Sequence, residues 1–248
     1  MTDREPAPGD RECPAEGPAE DAVEGDDDER ADDGRRADVP PTVPAALRAG
    51  VALFNEGHVL AAHDPWEAAW LPLGEGPDER PDERLLHGLI ATAAATHHAS
   101  GRNWSGAAGC ASNAVEYFDG IGSAPRRVDI DPVRDWCRRL AADPETSERA
   151  APPTLRIDGT APRFGDLDLS AALLAAPALA GAVASGDEET FETAAALARE
   201  ERGTGRTTFA ELLFAFLRTP DARPQVAARL ADHVELAERK RRDVNDLF

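Results

Sequence analysis

The chain is 248 residues long and carries 47 acidic against 27 basic side chains, which gives a formal net charge of −20 at pH 7. An acidic surface of this strength repels phosphate backbones and anionic lipids, so nucleic acid and membrane surfaces are disfavoured as partners. No segment approaches the run of about 20 apolar residues that a membrane span requires.

The basic residues are almost all arginine, since Lys240 is the only lysine in the chain. Strong acidity keeps a protein soluble where concentrated salt screens its self-repulsion. This composition favours a halophilic, haloarchaeal-type source. A high-GC genome combined with one acidic tail is the alternative explanation.

The most acidic segment is residues 1–41. Its first 40 residues hold fifteen acids and five arginines but almost no large apolar side chains. Such a segment cannot bury enough surface to offset the entropy of ordering, so we predict a disordered acidic tail. The tail begins without the basic and then apolar pattern of a secretory leader, which indicates a cytoplasmic protein.

Two helices are predicted after the tail. In the first, apolar side chains recur at intervals of three and four until Gly57, where the helix should stop. The second covers 58–70 and contains Pro65, which at the first helical position would make Asp64 the N-cap. The apolar positions of the first helix are Val43, Ala46, Leu47, Val51 and Phe54.

An exposed loop rich in Pro, Gly and acids is expected at 71–83, and a central helix that is apolar on most sides at 84–100. The next helix should cover 103–118, with Asn103 as its N-cap. We therefore expect residues 42–122 to form one compact multi-helix domain.

Residues 123–248 are predicted to be a helical C-terminal extension. It should contain an amphipathic helix at 131–142 that is capped by Asp131, and an extended connector at 144–168. Neither a repeat of fixed period nor a sustained heptad is present, so the sequence predicts an all-α globular array. The other predicted helices are 169–184, interrupted at Pro177, then 188–202, 207–217 and 222–245.

Histidines are the main source of candidate site residues. His63 and Glu67 lie four residues apart on one helix face, the spacing at which two side chains approach one metal ion or substrate group. His87 and His98 face the same way but are about 16 Å apart along their helix. His63, Glu67 and His98 could meet across a helix pair and bind a divalent metal. Five of the six histidines fall within 41 residues: His58, His63, His87, His97 and His98.

These side chains also have a structural explanation. A neutral histidine on an apolar face is usually a hydrogen-bonded interior group, while Asp64 and Glu67 suit a helix start. Zinc is the less attractive metal because no cysteine is near and HExxH is missing. The sequence contains no GxSxG, Walker A loop or strand-linked GxGxxG, which leaves hydrolase, NTPase and dinucleotide-binding readings without local support. The basic residues at 239–242 lie near the predicted end of a helix, where they interact favourably with the negative end of the helix dipole.

The stretches FNEGHVLAAHDPWEAAW at 54–70 and LLHGLIATAAATHHASGRNWSGA at 85–107 resemble the family known as domain of unknown function 309. The family pattern reads FNxGxYxEAHExLExxW and then GLIQxAAAxxHxxxGNxxGA. The resemblance covers residues 45–120 and implies a small all-helical domain without an established activity. The matching positions are Phe54, Asn55, Gly57, His63, Asp64, Glu67, Trp70, Gly88, His98, Asn103 and Gly106.

The chain also departs from the family pattern. Ala61 replaces a glutamate, which weakens any metal site that would use that carboxylate, and Asp64 replaces a second glutamate. The glutamine before the alanine run is missing. Pro65 disturbs the helix in which the motif lies.

Two hypotheses follow for the candidate residues. In the first, the chain is a binding or scaffolding domain whose buried His/carboxylate network fixes helix register. In the second, it binds a metal or small ligand, with hydrolysis as one outcome, and a histidine acts as general base. A protein partner or a homo-oligomer is compatible with both. The candidates are Asn55, His63, Asp64, Glu67, Trp70 and His98.

Overall fold

The computed structural model describes residues 40–74 and 80–245. These residues belong to one compact unit that begins at Pro40. Within them, β-pairing is limited to isolated bridges from Ile157 to Val128 and to Thr160. The all-α prediction is therefore confirmed. The predicted tail lies outside the described residues, except for its last two positions.

Helices and short connections make up the described part of the chain. Three 3-10 turns lie at Pro125–Arg127, Phe164–Asp166 and Pro220–Ala222. None of the helices in the described ranges has the length and apolar character needed to cross a membrane. The helices are α1 (Val43–Asn55), α2 (His63–Trp70), α3 (Arg80–Ser100), α4 (Trp104–Phe118), α5 (Asp131–Ala142), α6 (Thr146–Arg149), α7 (Leu169–Ala182), α8 (Glu188–Glu201), α9 (Thr208–Arg218) and α10 (Arg223–Asn245).

The helices pack as two groups that share one seam. In the first group α1 packs on α2, α2 on α3, α3 on α4 and α4 on α5. In the second, α7, α8 and α9 pack on one another, and α10 covers α8 and α9. The seam is the contact of α1 with α7, supported by a smaller contact of α2 with α7. The C-terminal helices thus pack directly on the region that carries the candidate site residues.

Several predicted helix ends are confirmed. Gly57 follows α1 with a φ of +88°, a conformation that glycine adopts without steric cost. Asn103 caps α4, because its side chain accepts a hydrogen bond from the Gly106 N–H. The connector after α5 is mostly extended, as expected, apart from the one-turn helix α6 and the 3-10 turn at Phe164–Asp166.

Other predicted boundaries were wrong. Helix α2 begins at His63 with Ala62 as its N-cap, so Asp64 lies inside the first turn instead of capping it. Asp131 is likewise the first residue of α5 and not its cap. At both places the carboxylate still lies near the positive end of the helix dipole, which is favourable. Helix α3 starts at Arg80, earlier than predicted, and α7 continues through Pro177.

Two glycines allow aromatic rings to pack directly on helix backbones. A Cβ atom on Gly50 of α1 would lie 2.3 Å from the ring of Trp66 on α2. A Cβ atom on Gly88 of α3 would lie 2.3 Å from Phe118 on α4. Both rings are fully buried. Any larger residue at these glycines must push apart the helices that carry the candidate site.

We predict that Gly88→Ala lowers the free energy of unfolding by about 1–3 kcal/mol, because the added methyl group overlaps the Phe118 ring. The matched control is Gly109→Ala in α4, where a Cβ atom meets nothing within 4 Å. That variant should gain up to about 1 kcal/mol from helix propensity. Urea unfolding followed by circular dichroism measures both, and equal effects of the two substitutions would contradict the packing argument.

Candidate functional site

Asn55 connects the end of α1 to the connector that follows α6. Its amide nitrogen donates to the carbonyl oxygens of Leu155, at 3.0 Å, and Pro162, at 3.1 Å. Its amide oxygen accepts the Leu155 N–H at 2.9 Å. These three backbone groups lie outside any helix and therefore have no helical hydrogen-bond partner. By bonding to them, Asn55 acts as a clamp on the connector.

His98 and Asn103 organise the turn between α3 and α4. The amide nitrogen of Asn103 lies 3.3 Å from Nδ1 of His98, and the Asn103 N–H donates to the His98 carbonyl at 2.9 Å. An amide N–H can donate only to an unprotonated ring nitrogen, so the contact requires the His98 tautomer whose Nδ1 carries no proton. Gly106 fits below the pair, since a Cβ atom there would lie 2.8 Å from the Asn103 side chain.

His63 opens α2 beside two carboxylates. Its Nδ1 atom lies 3.5 Å from Oε2 of Glu67 and 3.7 Å from Oδ1 of Asp64. These distances allow electrostatic attraction to a protonated ring, but Nδ1 is buried and makes no hydrogen bond in the described structure. The His63 side chain is 17% exposed, and that of Glu67 is 42% exposed. The cluster therefore joins a shielded imidazole to carboxylates at the surface.

His87 lies between two aromatic rings. The ring of Trp70 is 4.0 Å from the His87 ring, and that of Tyr117 is 4.6 Å away on α4. Both nitrogens of His87 are buried without a hydrogen-bond partner among the described residues. Burial lowers the pKa of His87 below its ordinary value of 6.5, and the carboxylate of Glu83, 3.6 Å from Nδ1, opposes that effect.

The sequence-predicted residues thus fall into separate local groups. Asn55 contacts the connector, and His63 lies beside Asp64 and Glu67. The ring of Trp70 packs against that of His87, and His98 contacts Asn103. Within the described ranges, no group of three His, Cys, Asp or Glu side chains is arranged to hold a metal ion. The position of His87 between the rings of Trp70 and Tyr117 was not predicted, because the long loop between α2 and α3 leaves the pairing of these rings undefined in the sequence.

Cys137 is excluded as a reactive thiol by its surroundings. It is fully buried on α5, with its Sγ atom 3.3 Å from the Thr92 hydroxyl. Burial raises the pKa of this thiol to about 11, although the hydrogen bond with Thr92 acts in the opposite direction. The thiolate needed for nucleophilic chemistry is therefore scarce at neutral pH.

The motif positions described above lie within one stretch of the chain. Residues 47–110 match the family model described as Domain of unknown function (DUF309). The match ends within α4, so helices α5 to α10 lie beyond it. No curated protein matches the chain.

The DUF309 match gives the motif positions a physical interpretation. Gly57 forms the turn after α1, while Gly88 and Gly106 allow side chains to pack directly on the helix backbone. Phe54 is buried in the core. Asn55, His98 and Asn103 make hydrogen bonds within the fold. The partly exposed polar positions of the motif form the surface cluster of α2, namely His63, Asp64 and Glu67.

We predict that Asn55→Asp lowers the free energy of unfolding by about 2 kcal/mol or more. The aspartate keeps an acceptor for the Leu155 N–H but places a charged oxygen against two carbonyls that lose their donor. Asn113→Asp in α4 is the matched control and should change the stability by less than about 0.5 kcal/mol. Equal losses measured by chemical unfolding would rule out the clamp.

A second prediction concerns pH. Because the pKa of His87 is lowered in the folded state, the unfolded chain takes up its proton first as the pH falls below 6.5. The contribution of neutral His87 to the free energy of unfolding is therefore complete above pH 6.5 and decreases as the pH falls below that value. His87→Phe should therefore flatten the fall in unfolding midpoint between pH 7 and pH 5, as measured by circular dichroism.

His97→Gln is the control for this pH experiment and should retain the wild-type slope. The pKa of His58 is also lowered, chiefly by burial. Because His58 is present in the wild type and in both variants, it contributes equally to the pH slope of all three. If the unfolding midpoint of His87→Phe fell with pH as steeply as that of the wild type, the pH dependence of stability would not come from the burial of His87.

Proposed function

We propose that the protein is a helical binding or scaffolding domain. The observation that carries this proposal is that polar side chains of the matched region make contacts inside the fold. Asn55 bonds to Leu155 and Pro162, and Asn103 bonds to His98 and Gly106. Satisfied polar contacts of this kind fix the spacing and register of the helices that a binding surface needs.

The outward side of α2 is the surface on which we expect a protein partner to bind. Leu71 is 66% exposed and Leu60 is 36% exposed, on either side of α2 in the sequence. Asp64, Glu67 and Leu71 are spaced at three and four residues and so lie along one side of the helix. Apolar side chains beside carboxylates suit another protein, or a second copy of this chain, that presents apolar and basic groups.

The alternative is that His63 and Glu67, with or without His98, bind a divalent metal or a small ligand. The buried Nδ1 of His63, which makes no hydrogen bond, and the carboxylate 3.5 Å away favour this alternative. Imidazole and carboxylate are suitable ligands for transition metals. A hydrolase would then use His63 as the general base.

Elemental analysis of the purified full-length protein, combined with unfolding experiments, separates these functions. We expect the wild type to contain no stoichiometric divalent metal. His63→Ala should lower the free energy of unfolding by about 1 kcal/mol, because it removes packing and charge partners on α2. His97→Ala, on a neighbouring helix, is the control. Stoichiometric metal that is lost in His63→Ala and Glu67→Ala, with helix content intact, would contradict the scaffold and support the metal site.

The wider setting is inferred from composition. A net charge of −20 and a single lysine support a halophilic source of haloarchaeal type. We further propose a division of the chain into an acidic tail at 1–41, a DUF309-like domain at 42–122 and a C-terminal helical region at 123–248. Nucleic acid is the least favoured partner because of the negative charge.

A further inference from the structure

A cavity of about 440 Å³ lies among the end of α8, the start of α9 and the second half of α10. None of the motif residues lines it, and it lies wholly beyond the residues that match the family model. Its volume falls within the range of about 300–1,000 Å³ that is usual for small-molecule sites. We call it the α10 cavity.

One face of α10 forms a wall of this cavity. The lining residues recur at intervals of three and four, which places them on a single side of the helix. His233 begins this face, and its ring meets Phe209 of α9 edge-on at 6.3 Å. Leu197 and Leu236 add apolar surface, so the cavity has an apolar portion. The α10 residues of this wall are His233, Leu236, Ala237, Lys240 and Arg241.

The lining of the cavity has a small excess of positive charge in an acidic protein, with three cations, Arg206, Lys240 and Arg241, against two carboxylates, Glu200 and Glu201. Two carboxylates line it, but Arg241 pairs with Glu200, and Glu201 accepts the Phe209 N–H at 3.2 Å. The other cationic groups of the lining, Arg206 and Lys240, form no ion pair with the described carboxylates. Lys240 is also the only lysine in the chain.

Helix α9 adds to this positive field. Its first residues, Thr208 and Phe209, line the cavity, so the positive end of the helix dipole faces the same space. A carboxylate oxygen of the chain already occupies part of this helix end, through the contact of Glu201 with the Phe209 N–H. The contact shows that the helix end accepts an anionic oxygen, next to two cations that form no ion pair within the described ranges.

We propose that the α10 cavity binds a small organic anion, with a phosphate or carboxylate group held by Arg206 and Lys240 and an apolar body against Leu236 and Phe209. Guanidinium and ammonium groups both bind such oxygens. The proposal rests on the cavity lining and is independent of the function proposed for the DUF309-like region.

Isothermal titration calorimetry of the full-length protein with phenyl phosphate tests this site, at the lowest KCl concentration that preserves full helix content. We expect saturable binding of one equivalent, weakened at least about tenfold by Lys240→Gln and by Arg206→Gln. Both side chains lie at the surface, so their substitution should leave the unfolding midpoint unchanged. Raising KCl to about 1 M should weaken binding, since salt screens the two cations.

Control variants and probes make the outcome specific. Arg239→Gln removes a cation of the same helix that pairs with Glu235 and does not line the cavity, so binding should change less than about twofold. Leu236→Ser should weaken the binding of phenyl phosphate but not that of inorganic phosphate, which has no apolar part. Benzoate, in a parallel titration, distinguishes a carboxylate from a phosphate as the preferred head group. The proposal is overturned if neither phenyl phosphate nor benzoate saturates, or if Arg239→Gln weakens binding as much as Lys240→Gln.

Discussion

Three hydrogen bonds from Asn55 hold together parts of the chain that are a hundred residues apart in sequence. The connector before α7 has few regular backbone partners, and buried backbone groups without partners are costly. One amide side chain supplies both donors and an acceptor to it. Because Leu155 is fully buried beside this clamp, the connector is fixed over the end of α1, and α7 then packs along α1. The same helix that carries the clamp therefore receives the second group of helices.

Close helix packing compensates for a scarcity of large side chains. Aromatic residues make up 5% of the chain, and the core relies on alanine and leucine with a few buried rings. Trp66 and Phe118 pack directly on the backbone at Gly50 and Gly88, which brings their helices together. Trp136, also fully buried, directs its indole N–H to the Thr96 hydroxyl at 3.4 Å. The indole N–H of Trp66, by contrast, is buried without a hydrogen-bond partner among the described residues.

Polar chemistry is divided between two regions of the molecule. In the region that matches the family model, several polar side chains bond within the fold, and the carboxylates of Asp64 and Glu67 lie at the surface of α2 beside the shielded ring of His63. The α10 cavity lies in the second helical group and combines apolar walls with Arg206 and Lys240. Three cations line this cavity, Arg206, Lys240 and Arg241, against two carboxylates, Glu200 and Glu201, whereas the cluster on α2 has two carboxylates beside one histidine. The two regions therefore differ in the sign of the charge that they present to a ligand.

The sequence by itself determined the helical class, most helix positions and the ends that depend on local chemistry. Gly57 ends α1 through its own backbone conformation, and Asn103 caps α4 through a hydrogen bond to a residue three positions away. Both roles can therefore be predicted from the local sequence alone. The starts of α2 and α5 were misjudged because an aspartate before proline satisfies a helix terminus from inside the first turn as well as from the cap. Only the tertiary structure decided that Asn55 bonds to Leu155, that Trp70 packs against His87, and that Lys240 shares a cavity with Arg206. These contacts join residues 17 to 100 positions apart, and the sequence pattern of one helix carries no information on which other helix will cover it.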